Sequence, residues 1–198
     1  MSRTDEELVA SSLAGDPSAF DLLVLRWDRK IQGAIYRLMG SEEEARDLCQ
    51  EAFLKAYRGL GGFKGEAKFS SWLYQIALNL CRDRMRRRRG RVMVSLDALE
   101  ADAQGQILRD EGASTQDLVE ARDMQQRVRA AVMALPDDQR EVIVLKEYEG
   151  LTFQEIAEVL GLPVSTVKTR LYRGLDRMRE RLVSEGVNAP LASPVGAP

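Results

Sequence analysis

The stretch LTFQEIAEVLGLPVSTVKTRLYR, residues 151–173, decides the fold of this chain. Ala157, Gly161 and Val167 recur at a spacing that suits two helices crossing at a tight turn. Such a crossing needs a small residue, the turn needs a glycine able to take a left-handed conformation, and the second helix needs an inward β-branched residue. The stretch therefore predicts a helix-turn-helix.

Helix signals dominate the remaining sequence, and alternating strand patterns are nearly absent. Capping boxes are indicated by Thr4 with Glu7, Ser41 with Glu44, and Thr152 with Glu155. Asp16 and Pro17 start a helix that Gly40 ends. We predict an all-α fold with helices near 5–14, 17–39, 42–59, 70–89, 117–135, 137–149, 153–160 and 164–183.

The helical pattern lapses twice. Residues 91–115 carry Gly, Ser, Ala and acids with little periodic apolar content, which predicts a flexible acidic linker. Residues 184–198 are rich in Pro, Ala, Ser and Gly, which predicts a disordered tail. We expect two small helical domains, at 1–90 and 116–183.

Composition removes several classes of function. The chain has no histidine, which removes most routes to general-base catalysis and histidine-ligated metal. Cys49 and Cys81 lie far apart and fit buried helical positions, so we expect no metal site and no cofactor. No signal peptide or membrane-spanning run is evident, and we expect a cytoplasmic protein without membrane insertion.

A formal net charge of −2 argues against nucleic-acid binding, but the charges are segregated. Arginine dominates residues 82–91, at Arg82, Arg84, Arg86, Arg87, Arg88, Arg89 and Arg91. Acids dominate 97–123, at Asp97, Glu100, Asp102, Asp110, Glu111, Asp117, Glu120 and Asp123. This segregation favours an anion-binding protein whose middle section is kept off the anion.

The helix predicted at 164–183 has two distinct faces. Its apolar face holds Val167, Leu171, Leu175, Met178 and Leu182. Its polar face holds Ser165, Thr166, Thr169, Arg173 and Arg177, flanked by Lys168, Arg170 and Tyr172. Hydroxyls followed by arginines are typical of a helix that enters the DNA major groove, and the alternative is a solvated basic face.

The helix predicted at 70–89 is apolar except for one narrow stripe. The stripe holds Gln75, Asn79, Arg82 and Arg86, with Trp72 at its edge, and a polar loop with Phe63, Lys64 and Phe69 precedes it. Aromatic rings beside amides and guanidinium groups suit unpaired bases. The alternative is that the aromatics are core and the arginines a solubilising helix end.

The helix predicted at 42–59 turns several polar residues outward around one leucine: Asp47, Gln50, Glu51, Leu54 and Arg58. An exposed leucine framed by acids and an amide suits docking on a basic partner helix. An ordinary solvated face is the alternative.

Several motifs together resemble the extracytoplasmic-function sigma factors, the compact two-domain branch of the bacterial housekeeping sigma family. The resemblance spans about residues 5–183. The stretches that carry it are DLCQEAF (47–53), GFKG (62–65), FSSWLYQIALN (69–79), LPDDQR (135–140) and GLTFQEIA (150–157).

This resemblance implies a transcription initiation factor that is not an enzyme. The face of the 42–59 helix would dock on the clamp helices of core RNA polymerase. The loop 63–69 and the polar stripe would melt the minus-ten element and capture a flipped base. The helix at 164–183 would read the minus-thirty-five element. The implied partners are core RNA polymerase, double-stranded and locally melted promoter DNA, and an anti-sigma factor.

The resemblance also gives the linker a task. Promoter elements some 25 base pairs apart lie roughly 85 Å apart at about 3.4 Å per pair. A linker over 91–115 reaches at most about 90 Å when extended. The acidic charge of the linker suits its passage through polymerase channels that hold nucleic acid, which is also negatively charged.

Two other classes of protein stay open as alternatives. A dimeric helix-turn-helix repressor or response regulator would need an effector or receiver domain at 1–90, and no such pattern is evident. A nuclease or recombinase would need grouped carboxylates or a nucleophile on the basic surface. A need for core polymerase before specific DNA binding separates the sigma factor from both.

Overall fold

The computed structural model describes residues 3–94 and 115–187, with side chains for 3–90 and 122–187. Its helices are α1 (Asp5–Leu13), α2 (Pro17–Met39), α3 (Glu42–Gly59), α4 (Phe69–Val94), α5 (Thr115–Met133), α6 (Asp137–Ile143), α7 (Phe153–Leu160) and α8 (Val164–Ser184). A 3-10 turn (Leu60–Gly62) follows α3, and a π-helical turn (Val144–Tyr148) continues α6. No β-strand occurs in the described ranges, so the all-α prediction is confirmed.

The helices begin at the caps that the sequence indicates. Thr4 and Thr152 form complete capping boxes with Glu7 and Glu155. The Ser41 hydroxyl accepts a hydrogen bond from the Glu44 backbone, but the Glu44 carboxylate reaches across to the arginines of α4. These caps satisfy backbone N–H groups that the first helical turn leaves unpaired.

Three predicted boundaries need correction. Helix α4 runs to Val94 and α5 starts at Thr115, so both take residues from the predicted linker 91–115. Residues 95–114, the rest of the predicted linker, lie outside the described ranges. Residues 184–187 belong to the C-terminal domain, because Val187 is buried and Arg127 donates a hydrogen bond to the Glu185 carbonyl. The rest of the predicted tail, 188–198, lies outside the described residues.

Helices α1 to α4 pack into an N-terminal bundle. The indole of Trp27 on α2 donates a hydrogen bond to Asp5 of α1 and meets the Tyr74 ring edge-on. Helix α4 is buried on two sides, because it packs on α2 and α3 and also on α7 of the C-terminal domain. This double packing explains the wide apolar surface of α4, whose buried apolar side chains are Phe69, Leu73, Tyr74, Ala77, Leu78, Leu80 and Cys81.

Helices α5 to α8 form the C-terminal domain, and α7 and α8 form the predicted helix-turn-helix. Gly161 ends α7 in the left-handed conformation with φ 66°, as the tight turn requires. Gly174 lets α8 approach α6 closely, because a Cβ there would lie 3.1 Å from Ile143. The apolar face of α8 is inward as predicted, with Val167, Leu171, Met178 and Leu182 buried and Leu175 half-buried.

The two domains lie against each other, and arginines join them at the C-terminal end of α2. Arg140 is buried and donates to the Leu38 carbonyl at 2.8 Å, while also binding carbonyls at the end of α5. Arg129 donates to the Gly40 carbonyl at 2.8 Å. The last carbonyls of a helix carry partial negative charge, so guanidinium groups from the other domain stabilise this end.

Candidate nucleic-acid and polymerase interfaces

Helix α8 presents its polar face to solvent. Ser165, Lys168, Thr169, Tyr172, Arg173 and Arg177 are exposed, and Thr166 and Arg170 are half-buried. The N-terminal part of this face borders an open cleft lined by Asp138, Gln139, Ser165, Thr166, Thr169, Arg170 and Arg173. The placement agrees with a helix whose first turns enter a groove.

Some of these side chains already have partners within the domain. The Thr169 hydroxyl donates to the Ser165 carbonyl at 2.9 Å, and Arg170 pairs with Asp138 at 3.3 Å. Lys168 lies over the Phe153 ring, 5.5 Å from its centre. Arg170 is therefore held against α6, whereas Arg173 projects outward.

The polar stripe of α4 is only partly open to solvent. Gln75, Asn79 and Arg86 are exposed, and Arg86 pairs with Asp83 one turn away at 3.0 Å. Arg82 instead binds both carboxylate oxygens of Glu141 on α6, at 2.7 and 2.6 Å. The Arg82 guanidinium, which was expected to face DNA, is thus bound by the Glu141 carboxylate of the C-terminal domain.

The loop 63–69 and Trp72 form an aromatic cluster at the head of α4. The rings of Phe63 and Trp72 lie 5.1 Å apart and are half-buried. Phe69 is fully buried, which corrects the expectation that its ring would be available to a base. It packs against both other rings and so fixes their position.

This cluster borders a cleft of about 220 Å³ between the domains. Exposed Lys64 and Gln75 line it together with Ser71, Trp72 and the glycines of the preceding loop. Glu158 and Val159 of α7 form the opposite side. The cleft combines a ring face, an amide and an ammonium, which are groups that hold an extruded base.

The outward face of α3 is exposed as expected. Leu54 is 54 % exposed, and Asp47, Gln50 and Arg58 also face solvent. The Glu51 carboxylate forms an ion pair with Lys55 of the same helix at 3.3 Å. Tyr57 is exposed next to Leu54 and extends the apolar part of this face, a contribution missed in the sequence analysis.

Neither cysteine is placed for nucleophilic chemistry. Cys49 and Cys81 are buried within the N-terminal bundle. Burial raises the pKa of each thiol to about 12, because the thiolate would lose its hydration. Both thiols stay protonated at neutral pH and act as small apolar side chains.

Residues that join the domains were missed from sequence. Tyr74 donates a hydrogen bond at 2.6 Å to Glu149, which also lies 3.7 Å from Arg37. Glu141 is nearly fully buried. The one available signal was the position of Glu141 directly before the apolar run Val142–Leu145, where a solvated acid is unusual.

Family comparisons agree with this arrangement. The model of Sigma-70 region 2 matches residues 23–91, and that of Sigma-70, region 4 matches residues 125–178. The RNA polymerase sigma-H factor of Pseudomonas aeruginosa is 39% identical over 90% of this chain and 93% of its own length. The ECF RNA polymerase sigma factor SigW of Bacillus subtilis is 40% identical over 85% of this chain and 91% of its own length.

Solved structures extend the likeness to three dimensions. CnrH, solved in complex with the cytosolic domain of CnrY, is 28% identical with a TM-score of 0.69, over 91% of this chain and 98% of that one. The sigma factor RpoE of Bartonella quintana, solved with the anti-sigma factor NepR, shares the fold with a TM-score of 0.69 at 24% identity, over 83% of this chain and 96% of that one. The two family matches and the full-length relatives together place the chain in one family: it belongs to the extracytoplasmic-function sigma factors.

Proposed function

We propose that this chain lends promoter specificity to core RNA polymerase through three separate surfaces, and that it catalyses no reaction itself. Helix α8 reads the minus-thirty-five element, the head of α4 melts the minus-ten element, and the outer face of α3 docks on the polymerase. The observation that carries the proposal is the exposure of hydroxyl and arginine side chains along one face of α8.

For the minus-thirty-five element, the exposed face of α8 has the chemistry of major-groove reading. Ser165, Thr166 and Lys168 lie near its start, where recognition helices contact base edges. Arg173 projects one to two turns further on and can bind a guanine edge with two hydrogen bonds. Arg177 lies beyond it and suits a phosphate.

For the minus-ten element, the cleft beside Trp72 is the proposed base pocket. Gln75 lines that cleft, and Asn79 lies exposed one turn further along α4. Their amides can bind the Watson–Crick edge of an extruded base, which a paired base does not expose. Arg82 and Arg86 then follow the strand's phosphates.

The partners proposed are core RNA polymerase, promoter DNA and an anti-sigma factor. Structural relatives such as CnrH and RpoE were solved with partner proteins, and RpoE's partner is an anti-sigma factor. In the described ranges no helix is both long and apolar enough to cross a membrane. We place the chain in the cytoplasm, where its proposed polymerase and DNA partners are found.

The dependence of DNA binding on core polymerase tests this proposal. Gel-shift titrations with a pool of double-stranded DNA should give specific complexes only when chain and core polymerase are both present. A repressor or a nuclease would bind or cut DNA alone. Specific binding by the free chain, unchanged by added polymerase, would contradict the proposal.

A further inference from the structure

Two lysines of the C-terminal domain lie against one aromatic ring, at the point where α7 begins. The ammonium of Lys146 lies 5.0 Å from the centre of the Phe153 ring, and the ammonium of Lys168 lies 5.5 Å from it. The π-helical turn supplies Lys146, the first residue of α7 is Phe153, and the first turns of α8 supply Lys168. We call these residues the lysine–ring cluster.

The two ammonium groups keep their charge available to an anion. In the part of the chain that the structure describes, neither Lys146 nor Lys168 forms an ion pair, whereas the neighbouring Arg170 pairs with Asp138. An aromatic ring attracts a cation through the negative charge of its face, but it carries no net charge and does not neutralise the cation. The cluster therefore gathers two uncompensated positive charges around one ring.

Both ammonium groups are held in place before an anion binds. Lys146 also donates a hydrogen bond to the Leu151 carbonyl at 3.1 Å, and its ammonium has further N–H donors to offer. The Phe153 ring is half-buried against the core, which fixes its position. A lysine has a long flexible stem whose ordering opposes binding. The ring reduces this cost for both lysines, because it restricts them beforehand.

The π-helical turn Val144–Tyr148 brings Lys146 into the cluster. The Glu149 amide bonds to the Val144 carbonyl at 3.1 Å, so this turn holds one residue more than an α-helical turn. Single π-helical turns inside helices are frequent at functional sites. The cluster gives this turn a functional interpretation.

The cluster lies at the edge of the proposed reading surface. In a helix-turn-helix, the second helix lies in the major groove and the first helix crosses the DNA backbone. Phe153 begins the first of these helices, and Lys168 lies exposed on the second. The major groove is only about 12 Å wide, so groups beside the first turns of α8 lie close to the phosphates at its rim.

We propose that the lysine–ring cluster is a phosphate-binding site for the DNA backbone beside the minus-thirty-five element, in which Lys146 and Lys168 bind and Phe153 positions them. The inference rests on the proposed function, because it adds a backbone contact to the same reading surface. Lys146 thereby becomes a DNA-binding residue outside the reading helix. A phosphate has no base identity, so the site strengthens binding to all sequences alike.

The test uses the full chain bound to core polymerase and a promoter fragment selected by run-off transcription from a random pool. Lys146→Met and Lys168→Met each remove one ammonium but keep an unbranched side chain. Lys30→Met is the matched control, because Lys30 is an exposed lysine of the N-terminal bundle that also lies over a ring, 4.8 Å from the centre of Trp27. Circular dichroism checks that every variant is folded.

The salt dependence of promoter affinity counts the phosphate contacts. The logarithm of the binding constant falls linearly with the logarithm of salt concentration, and each lysine variant should make this slope shallower by about 0.9. The two substitutions together should change it by about 1.8, and the Lys30→Met control should keep the parent slope. A parent slope in either lysine variant, or an altered preference at a single base pair, would overturn the proposal.

Neutral phosphates identify the partner of the two lysines directly. A methylphosphonate carries no negative charge, and one at a time is placed along both strands beside the minus-thirty-five element. One or two positions should weaken binding of the parent complex but have no further effect on the variant that lacks both lysines. Equal losses in parent and variant at every position would overturn the proposal.

Substitution of Phe153 separates positioning from packing. Phe153→Leu keeps an apolar side chain but removes the ring, whereas Phe153→Tyr keeps the ring. The leucine variant should bind the promoter more weakly, the tyrosine variant should bind like the parent, and the effect of leucine should largely vanish when both lysines are absent. An undiminished effect in that background would show that the ring serves packing alone.

Promoter binding by the parent complex separates failure of this site from failure of the proposed function. If the parent complex binds its selected promoter and both lysine variants keep the parent slope, the phosphate site alone is removed. If the parent complex shows no preference for any promoter, the proposed function is removed, and the phosphate site with it.

Discussion

Arg82 and Glu141 form a two-bonded ion pair across the domain interface, with both N–O distances below 2.8 Å. Arg82 is a residue of the proposed minus-ten surface, and Glu141 belongs to the domain whose helix α8 is proposed to read the minus-thirty-five element. A partly buried, bidentate pair of this kind is stronger than an isolated surface pair. Because this pair joins the two domains, a single substitution at Arg82 or Glu141 can test how the domains are placed relative to each other.

Glu155 gives the interface a defined pH dependence. Hydrogen bonds from Lys68 and from Thr152 lower the pKa of its carboxylate to about 2, from an ordinary 4.5. Because its pKa is lower in the folded chain, the Glu155 carboxylate stabilises the fold fully at pH values above its ordinary pKa of 4.5. This stabilisation is lost as the pH falls towards 2. Because Lys68 is solvent-exposed and screened, we expect only about 1 kcal/mol from Glu155 at pH 7.

Urea unfolding at a series of pH values measures this contribution. Glu155→Gln should lower the free energy of unfolding at pH 7, and its difference from the parent should shrink between pH 4.5 and pH 2. Glu180→Gln, on an exposed turn of α8, serves as the charge-matched control. A deficit of the same size throughout that range would show that the carboxylate charge is not its source.

The docking face of α3 predicts a loss of polymerase affinity without loss of fold. Alanine at Asp47, Gln50 and Glu51 removes outward side chains, so the melting temperature should stay near that of the parent. Titration with core polymerase should show weaker binding, because the variant lacks the side chains proposed to contact the basic clamp. Glu43→Ala, in the first turn of the same helix, should bind normally. Unchanged core affinity in the triple variant would remove the docking assignment.

We expect substitution of Arg173 to impair recognition of the minus-thirty-five element specifically. Arg173→Ala should cost about 1–3 kcal/mol in promoter affinity of the polymerase complex if the guanidinium holds a base edge, and less for a phosphate contact. Loss of a base contact relaxes preference at one position, whereas loss of a phosphate contact weakens all sequences alike. Arg179→Ala, near the end of α8, is the matched control. If neither affinity nor preference changes, α8 is not oriented as proposed.

We expect substitution of Asn79 to impair the melting of promoter DNA but not its initial binding. Asn79→Ala removes an exposed amide that we propose contacts the extruded base, but it spares the distant α8. Closed-complex binding should survive, and open-complex formation on linear DNA should fail, as read by permanganate footprinting. A pre-melted template should restore activity, because the unstacking cost of a few kcal/mol is already met. Parental melting of linear DNA by the variant would reassign the stripe as a phosphate track.

Local sequence was sufficient to predict the helices and the helix-turn-helix. Helix ends can be predicted without tertiary structure, because a capping residue bonds only to groups within one or two turns of itself. The residues that act in this way are Thr4, Thr152, Gly40 and Gly161. The inward and outward faces of α8 follow in the same way from helical periodicity. The structure confirms which face of α8 is buried and which is exposed.

Contacts between distant residues could not be predicted in the same way. Glu141 and Glu149 look locally like ordinary acids, and only packing of the domains pairs them with Arg82 and Tyr74. Phe69 was expected at a DNA surface because aromatics at loop ends serve both core and binding, and burial alone decides between them. The π-helical turn Val144–Tyr148 was not predicted, because neither a capping residue nor a change in hydrophobic periodicity marks it in the sequence.

Run-off transcription from a randomised promoter pool tests the central claim most directly. Core polymerase with this chain should select templates that share two short conserved blocks at a fixed spacing upstream of the start site. Core polymerase alone should select none. If the selected templates share no such blocks, or match those selected by core alone, the chain does not confer promoter specificity.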